Sequence, residues 1–403
     1  MATTVQEIKT YIKKALEDQR FLKCEVALTG SSENSDGFVS DITFATVSVT
    51  TKDGIEKTIE VAVKSSKKKL IQAIPRLYGR EAYIYGAVIP AFTEFQMQNN
   101  IKNVFSSVPK CYRTISDETV EIIVMENLKK NGYELFDRKK PLDLNHLKLV
   151  LQEYGKFHAI SFALRNKSRC DFEKLVTNFD EVMTHFCMKS FKKTMQQCLV
   201  RACDIVKEVG EMKLYEMCYK IVEKDAYVAM IEILETEEPM SAILHGDGWS
   251  NNFMYKYEGS KNPSKLAILD WQLSRLHSPV LDLSYLIYTT CSGEELKHFD
   301  ELLDTYYASF SAFLTELGCN SESLFPYSAL LRHWKKYSLF GLLTVIMYLH
   351  LFLCETEDVP DLSQCKNESE YIEQMMDIKI TDGHQYRKRI IAVINHYCSF
   401  SDT

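Results

Sequence analysis

The sequence predicts an α+β fold in two lobes: a small N-terminal antiparallel β-sheet lobe with one helix, and a larger, mostly helical C-terminal lobe. The chain has 403 residues, more than a single hydrophobic core usually accommodates. Segments typical of strands fill the first third, whereas apolar residues recur at helical spacing in most of the remainder. We therefore expect an N-terminal lobe, including an N-terminal helix, over residues 1–127 and a C-terminal lobe over residues 128–403.

Composition and charge exclude several classes of protein. Hydrophobic residues make up 46% of the chain and charged residues 26%, which is typical of a soluble globular protein. The net charge of −7 provides no basic field, so we expect neither a nucleic-acid nor a membrane partner. The twelve cysteines are scattered without a Cys-x-x-Cys pair, which predicts reduced, mostly buried thiols in a cytoplasmic protein. We expect that protein to be a monomer.

The N-terminal lobe begins with an amphipathic helix and continues in strands. The apolar face of the helix comprises Val5, Ile8, Ile12 and Leu16. Strands are predicted over residues 21–28, 38–50 and 58–63. The segment between the first two strands has the position of a phosphate-covering hairpin, whose contact residues would be Gly30, Gly37 and Ser40. It is also typical of a plain polar turn, because Gly, Ser, Asn and Asp dominate turns and a GxGxxG motif is missing.

The third strand reads VAVK and ends at Lys64. It resembles the VAIK strand, whose terminal lysine reaches the α- and β-phosphates of a nucleotide. A helix is predicted over residues 76–98, and its early part carries Glu81. This glutamate could pair with Lys64 and hold the ammonium group against the phosphates; the alternative is a solvated helix face.

Two further strands, over residues 110–114 and 120–125, complete the lobe. The second strand runs into a polar connector, as a hinge between two lobes would, and its backbone groups could hydrogen-bond an adenine. The hinge residues would be Met125, Glu126, Asn127 and Leu128.

The most informative stretch covers residues 243–272. Asp247, in a His-Gly-Asp sequence, precedes Asn252 by five residues, and a predicted hairpin follows whose second strand ends at Asp270. Such a hairpin would hold these three side chains around one small space. Phosphoryl transfer needs one carboxylate to accept a hydroxyl proton, and an amide oxygen plus a second carboxylate to hold Mg²⁺. The alternative is a structural loop, but the order of the three residues matches the protein-kinase signature.

Three features of the helical lobe have competing interpretations. His158 lies on the apolar face of a helix and is predicted to be a core histidine rather than a ligand. Asp282, at the start of a helix, is predicted to brace the catalytic loop or cap the helix; the alternative is direct substrate contact. Residues 337–354 are almost long enough to span a membrane. We predict instead that these residues form a helix buried in the middle of a large lobe.

Four segments resemble the arthropod ecdysteroid-kinase-like proteins, within the broader choline-kinase and aminoglycoside-phosphotransferase superfamily. They are residues 123–143, 146–164, 243–257 and 266–288. The paired Asn251 and Asn252, and the Asp-aromatic-Gln sequence after the last strand, distinguish this family from generic aminoglycoside kinases. The resemblance implies a two-lobed, protein-kinase-like fold.

The resemblance also implies roles for single residues. Asp247 would be the catalytic base, with Asn252 and Asp270 as Mg²⁺ ligands. Lys64 would bind the ATP phosphates with Glu81 as its partner, and the adenine would lie against the hinge. Three positions depart from the family pattern: Gly248, which would loosen the catalytic loop, Trp271 in place of Phe, and Asn127 in place of an acid. None of the three is a chemical group of the site, so an active enzyme is expected.

The resulting expectation is an ATP- and Mg²⁺-dependent kinase that phosphorylates an alcohol. The N-terminal lobe would bind the nucleotide, and the C-terminal lobe would carry catalysis and the acceptor site. The resemblance implies an ecdysteroid or a hydroxylated xenobiotic as the acceptor. The alternatives are a choline- or aminoglycoside-type kinase, a nucleotide-binding pseudokinase scaffold, and a membrane-anchored protein that uses residues 337–354.

Overall fold

A computed structural model describes residues 4–31, 40–66, 74–116, 121–177, 179, 182–358, 370, 372–374, 378, 380 and 382–400. It has an antiparallel N-terminal sheet followed by a larger helical part, so the predicted α+β class is confirmed. Helix α1 (Val5–Leu16) opens the chain with a capping box between Thr4 and Glu7. Ile8, Ile12 and Leu16 are buried as predicted, whereas Val5 is exposed.

The N-terminal sheet has five antiparallel strands in the order β1-β2-β3-β5-β4. Its strands are β1 (Lys23–Ser31), β2 (Ser40–Thr50), β3 (Glu56–Ser66), β4 (Cys111–Ser116) and β5 (Glu121–Glu126). Alternate residues point to one face, and Ala45, Val47 and Val61 on that face join α1 in a small core. The predicted strands therefore exist, with ends shifted by a few residues.

The helix predicted over residues 76–98 is continuous in space but not regular. It consists of α2 (Ile74–Tyr83), a π-helical segment (Ile84–Val88) and α3 (Ile89–Gln98). Pro90 lies at the start of α3. Because proline has no N–H and its ring collides with the carbonyl four residues earlier, a regular helix is disrupted there. The wider π-turn accommodates that disruption, and α2 still carries Glu81 toward the sheet.

The helical part contains two small sheets. The predicted hairpin is confirmed as β8 (Phe253–Lys256) and β9 (Lys265–Ile268), with β6 (Tyr133–Leu135) added beside β8. The second small sheet flanks the hairpin in the chain: β7 (Ala242–Ile243) precedes it, β10 (Leu276–His277) follows it, and the two strands pair. These two small sheets set the spacing of the loops that carry the candidate site.

Helices enclose the small sheets. They are α4 (Leu144–Lys167), α5 (Arg169–Val176), α6 (Val182–Glu208), α7 (Met212–Glu223), α8 (Ala226–Glu235), α9 (Val280–Thr290), α10 (Gly293–Leu296), α11 (Phe299–Glu316), α12 (Ser321–Leu324), α13 (Tyr327–Tyr337), α14 (Leu339–Leu353) and α15 (Gly383–Phe400). Helix α4 is apolar on most sides and packs against α11, while α14 packs against α9. The main core runs through these contacts and reaches α2 and α3.

Two expectations from the sequence meet the structure in this part. Cys203 of α6 and Cys218 of α7 form a disulfide with their Cα atoms 6.0 Å apart, so the expectation of reduced thiols is wrong for this pair. The packing of two helices brings them together, and their separation of 15 residues gives no sequence signal. In the described ranges, no single helix is long and apolar enough to cross a membrane; residues 321–353 pass the length and composition test only as a helix pair bent by 49°.

Candidate active site

Asp247 lies on the loop between β7 and the short 3₁₀ helix of residues 250–252. The shape of this loop depends on a glycine. Gly246 has a φ of +88°, and a Cβ atom there would lie 2.1 Å from the carbonyl oxygen of Leu273. Both the left-handed conformation and the close backbone approach require glycine. The His-Gly-Asp sequence therefore forms a tight turn against the loop that follows β9, which brings Asp247 near the end of that strand.

Asp247 is nearly buried, and each of its carboxylate oxygens accepts one hydrogen bond. The hydroxyl of Tyr285 donates to Oδ1 at 2.8 Å, and Nδ2 of Asn252 donates to Oδ2 at 2.9 Å. Burial and the negative charge of Asp270 raise the pKa of Asp247 to about 7, against the opposing effect of these hydrogen bonds. A carboxylate with a pKa near the working pH is well suited to accept a proton.

Lys64, Glu81 and Asp270 form one ionic network. The Nζ atom of Lys64, at the end of β3, lies 2.7 Å from Oε2 of Glu81 and 2.9 Å from Oδ1 of Asp270. Burial opposes the charge of Lys64, but the two carboxylates outweigh it and raise the pKa of the lysine above its ordinary value. Glu81 is buried rather than solvated. The network joins the N-terminal sheet, α2 and the end of the hairpin.

Asp270 has an uncommon backbone conformation, with a φ of +62°. Such a conformation is rare for residues other than glycine and is enriched at functional sites. The turn is held on both sides, because Leu269 donates a backbone hydrogen bond to Asn252 and Ser274 donates one to Trp271. The bond between Leu269 and Asn252, 2.9 Å long, places the two predicted metal ligands next to each other.

The donor set of Asn252 and Asp270 fits a magnesium ion that also binds nucleotide phosphates. Asn252 uses its Nδ2 atom in the hydrogen bonds with Asp247, and Lys64 contacts Oδ1 of Asp270. The amide Oδ1 and the carboxylate Oδ2 therefore remain as hard oxygen donors. Mg²⁺ characteristically takes one or two protein ligands and completes its shell with phosphates and water. Within the described ranges, no cluster of three or more His, Cys, Asp or Glu could hold a metal by itself.

A cleft between the N-terminal sheet and the hairpin joins these groups to the predicted hinge. Its lining includes Lys64, Glu81, Asn252 and Asp270, and all four hinge residues: Met125, Glu126, Asn127 and Leu128. Ile42, Phe44 and Ala62 from the sheet and Met254 and Leu269 from the hairpin supply apolar walls. The cleft thus combines an apolar end at the hinge with a charged end at Lys64, as a nucleoside with phosphates requires.

The predicted phosphate-covering hairpin is only partly visible. Gly30 pairs with Phe44 at an irregularity in β1, and Ser40 pairs with Ser66 at the start of β2. Gly30 is not among the described residues that line the cleft, and the predicted contact of Ser40 with the nucleotide stays a prediction. Gly37 lies outside the described residues, so its predicted contact with the nucleotide stays a prediction.

Asp282 braces the loop that carries Asp247, as the sequence predicts. Its Oδ2 accepts the backbone N–H of His245 at 2.7 Å, and its Oδ1 accepts that of Gly246 at 2.8 Å. The Nε2 atom of His158 lies 3.1 Å from Oδ2. His158 is fully buried and is a hydrogen-bonded core histidine, as expected. Asp282 is itself 1% exposed, so the alternative of direct substrate contact is wrong in this structure.

The positions that depart from the family pattern are well packed. A Cβ atom on Gly248 would lie 2.9 Å from the hydroxyl oxygen of Tyr154, so the residue allows close packing rather than a loosened loop. Trp271 is fully buried against Phe157, and its Nε1 donates to the carbonyl oxygen of Ile268 at 3.2 Å. The larger ring is therefore accommodated.

Two residues of the site were not predicted from the sequence. Tyr285, on α9, donates to Asp247, and Tyr154, on α4, is 2.7 Å from Nδ1 of His245. In the sequence, both have the helical spacing that is typical of core aromatic residues. The spacing of Tyr285, three residues after Asp282, was the available signal, because it places both side chains on one helix face.

Comparison with known proteins identifies a matching family and similar solved structures. The family model described as the ecdysteroid kinase-like family matches residues 34–319. Two solved structures are similar at low identity. The GDP complex of wild-type aminoglycoside 2'-phosphotransferase-IIIa is 12% identical, with 93% of this chain and 97% of that chain covered and a TM-score of 0.38. The GDP complex of a point mutant of that enzyme is also 12% identical, with coverages of 92% and 95% and a TM-score of 0.37. No curated protein matches the sequence.

Proposed function

Because the chain belongs to the ecdysteroid kinase-like family, and is thus a kinase-like phosphotransferase of small molecules, we propose that it transfers the γ-phosphoryl group of ATP to an alcohol. The proposed acceptor is an ecdysteroid or a hydroxylated xenobiotic. The proposed cofactor is Mg²⁺.

One observation carries this proposal: the five predicted chemical groups are contiguous. Glu81, Lys64 and Asp270 are linked by ion pairs, and Asp247 and Asn252 by hydrogen bonds. The backbone bond between Leu269 and Asn252 joins the two sets. Apolar residues in place of a buried ion pair are often equally stable or more stable, so a purely structural contact would not need a buried lysine between two carboxylates.

The geometry supports a direct transfer. The cation of Lys64, at the charged end of the cleft, would bind phosphate oxygens. Asn252 and Asp270 would hold Mg²⁺, which neutralises charge that builds up on the transferring group. Asp247 would accept the proton of the acceptor hydroxyl as that oxygen attacks the γ-phosphorus. Its two hydrogen bonds hold the carboxylate in a fixed orientation before the proton is transferred.

Several aromatic side chains surround the loop of Asp247. Trp249, two residues along the loop, stacks on Phe352 of α14 with ring centroids 4.5 Å apart. Tyr285 packs its ring edge against Phe340, at 6.3 Å. All four rings are buried, so they support the loop, and the proposed acceptor class rests on the family to which the chain belongs. Choline and an aminoglycoside are the competing acceptors.

The test is a mass-spectrometric acceptor screen. Purified protein with Mg²⁺ and ATP is offered ecdysteroids, phenolic and glycosidic plant compounds, choline and an aminoglycoside. Asp247→Asn is run alongside as the matched variant, because it preserves the shape of the side chain and removes its basicity. We expect a phosphoryl gain on a steroid or plant alcohol that is lost in Asp247→Asn. Retained ATP binding without any product would favour a pseudokinase scaffold, and a product only with choline or the aminoglycoside would support the competing acceptor class.

A further inference from the structure

One face of α9 contacts the loop that carries Asp247. Asp282, Tyr285 and Thr289 lie three and four residues apart, so they share that face. Asp282 binds the two backbone N–H groups that precede Asp247. Tyr285 binds Asp247 itself. The hydroxyl of Thr289 donates to the carbonyl oxygen of Tyr285 at 2.7 Å and lies 3.3 Å from that of Gly248. The helix therefore fixes the loop before Asp247 and at Asp247 itself.

The contact of Tyr285 has the geometry of an orienting hydrogen bond. Its hydroxyl lies 2.8 Å from Oδ1 of Asp247, while Nδ2 of Asn252 lies 2.9 Å from Oδ2. Two donors on different oxygens fix the rotation of the carboxylate plane, which neither could do alone. Tyr285 is 6% exposed, and its ring is held against Phe340. The hydroxyl thus belongs to a rigid support.

We propose that Tyr285 is a positioning residue of the phosphoryl transfer, whose hydroxyl holds the carboxylate of Asp247 in the orientation from which it accepts the proton of the acceptor alcohol. This inference rests on the proposed function and adds a residue to it. In the reaction the alcohol oxygen bonds to the γ-phosphorus, the bond from that phosphorus to the β–γ bridging oxygen breaks, and ADP leaves. The alcohol proton moves to Asp247.

Tyr285 keeps its own proton during this step. Burial, together with the carboxylate of Asp247, raises the pKa of Tyr285 well above its ordinary value. A second lone pair on each oxygen of Asp247 remains for the acceptor hydroxyl. The phenol therefore orients the base without competing with the acceptor for the proton.

The test compares Tyr285→Phe with Tyr288→Phe. Tyr288 is on the same helix, is fully buried and bonds to His396, with the two atoms 3.2 Å apart and away from the loop. Each variant removes one buried hydroxyl and keeps the ring. For Tyr285→Phe we expect kcat to fall about 10- to 100-fold, the range for losing a hydrogen bond to a charged group, with the KM values of ATP and acceptor changed by less than about twofold. Tyr288→Phe should keep the kcat of the unmutated protein.

A second measurement examines the contact without turnover. The melting temperature of Tyr285→Phe is compared in the unmutated background and in the Asp247→Ala background. We expect the loss of stability to disappear in the second background, because the hydroxyl then has no carboxylate to lose. An unchanged kcat in Tyr285→Phe, equal losses in Tyr288→Phe, or equal temperature shifts in both backgrounds would each overturn the inference. Failure of the unmutated protein to phosphorylate any alcohol would refute the proposed function, and this inference with it.

Discussion

Replacing Asp282 with asparagine tests how the catalytic loop is held in place. The two carboxylate oxygens of Asp282 accept the backbone N–H groups of His245 and Gly246 at 2.7 and 2.8 Å. Asparagine keeps the shape of the side chain but has one acceptor oxygen and one NH₂ group. At least one of the two backbone N–H groups must then face a donor. The loop that carries Asp247 loses an attachment within two residues of the catalytic carboxylate.

The expected magnitude follows from burial. A hydrogen bond to a charged acceptor contributes about 1.5–3 kcal/mol, and a buried N–H left without an acceptor costs about 1–3 kcal/mol. We therefore expect a loss of about 3 kcal/mol in the free energy of unfolding. With an unfolding entropy of roughly 2.1 cal/mol/K per residue, a chain of 403 residues would melt about 3.5 °C lower. Displacing the loop by about 1 Å would lower kcat by roughly 100-fold.

The assay is thermal unfolding combined with steady-state kinetics on the acceptor found in the screen. The matched control is Asp225→Asn, because Asp225 also accepts two backbone N–H groups, those of Tyr227 and Val228, but is partly exposed at the start of α8. Asparagine is an equally good cap there, so both readouts should stay near those of the unmutated protein. An Asp282→Asn protein with unchanged melting temperature and kcat would refute the reasoning.

Three further predictions concern the ion pair, the glycine and a buried histidine. Lys64→Met should weaken ATP binding in a titration and destabilise the fold by about 3–5 kcal/mol, because it leaves the buried Glu81 without its cation; ATP affinity equal to that of Lys64→Arg would contradict this. Gly248→Ala should lower melting temperature and kcat because its Cβ meets the hydroxyl of Tyr154 at 2.9 Å, and an equal loss in the Tyr154→Phe background would refute the clash. Burial lowers the pKa of His277 to about 4. In the unfolded chain this histidine has an ordinary pKa near 6.5, so the unfolded state binds the proton more readily. The free energy of unfolding therefore decreases as the pH drops from about 6.5 toward 4, and the loss is about 2 kcal/mol at about pH 5. Melting curves at two pH values for the protein and for His277→Gln test this; identical pH dependences would contradict it.

Local patterns were enough to predict most elements of the fold and the grouping of Asp247, Asn252 and Asp270 along one hairpin. The hairpin of β8 and β9 is predicted by alternating apolar residues and by a turn that contains a glycine and a proline. Both signals span only a few residues. The order of Asp247, Asn252 and Asp270 along that hairpin is equally local. The sequence alone does not identify Lys64 and Glu81 as a pair, since strand-ending lysines and helical glutamates are common. Their pairing required the fold.

Features that depend on contacts between distant segments could not be predicted. The disulfide of Cys203 and Cys218 depends on how α6 and α7 pack. The close fit at Gly248 depends on Tyr154, 94 positions earlier in the chain. The π-helical segment had a local cause in Pro90, but proline at this place is equally compatible with the end of one helix and the start of another. In each case several partners are compatible with the sequence, and tertiary packing selects one.

Helix α9 carries a sequence signal that could have identified Tyr285. Every one of its residues is buried, and a helix that is apolar all round is expected in a large core. Polar side chains on such a helix need partners, because burying them without hydrogen bonds is costly. Asp282 and Tyr285 are three residues apart, so their partners must lie along one line. A loop that presents backbone N–H groups and then a carboxylate satisfies that line. Polar residues at helical spacing within a buried helix are therefore evidence for the loop that the helix supports, and in this chain they point to Tyr285, the residue proposed to orient Asp247.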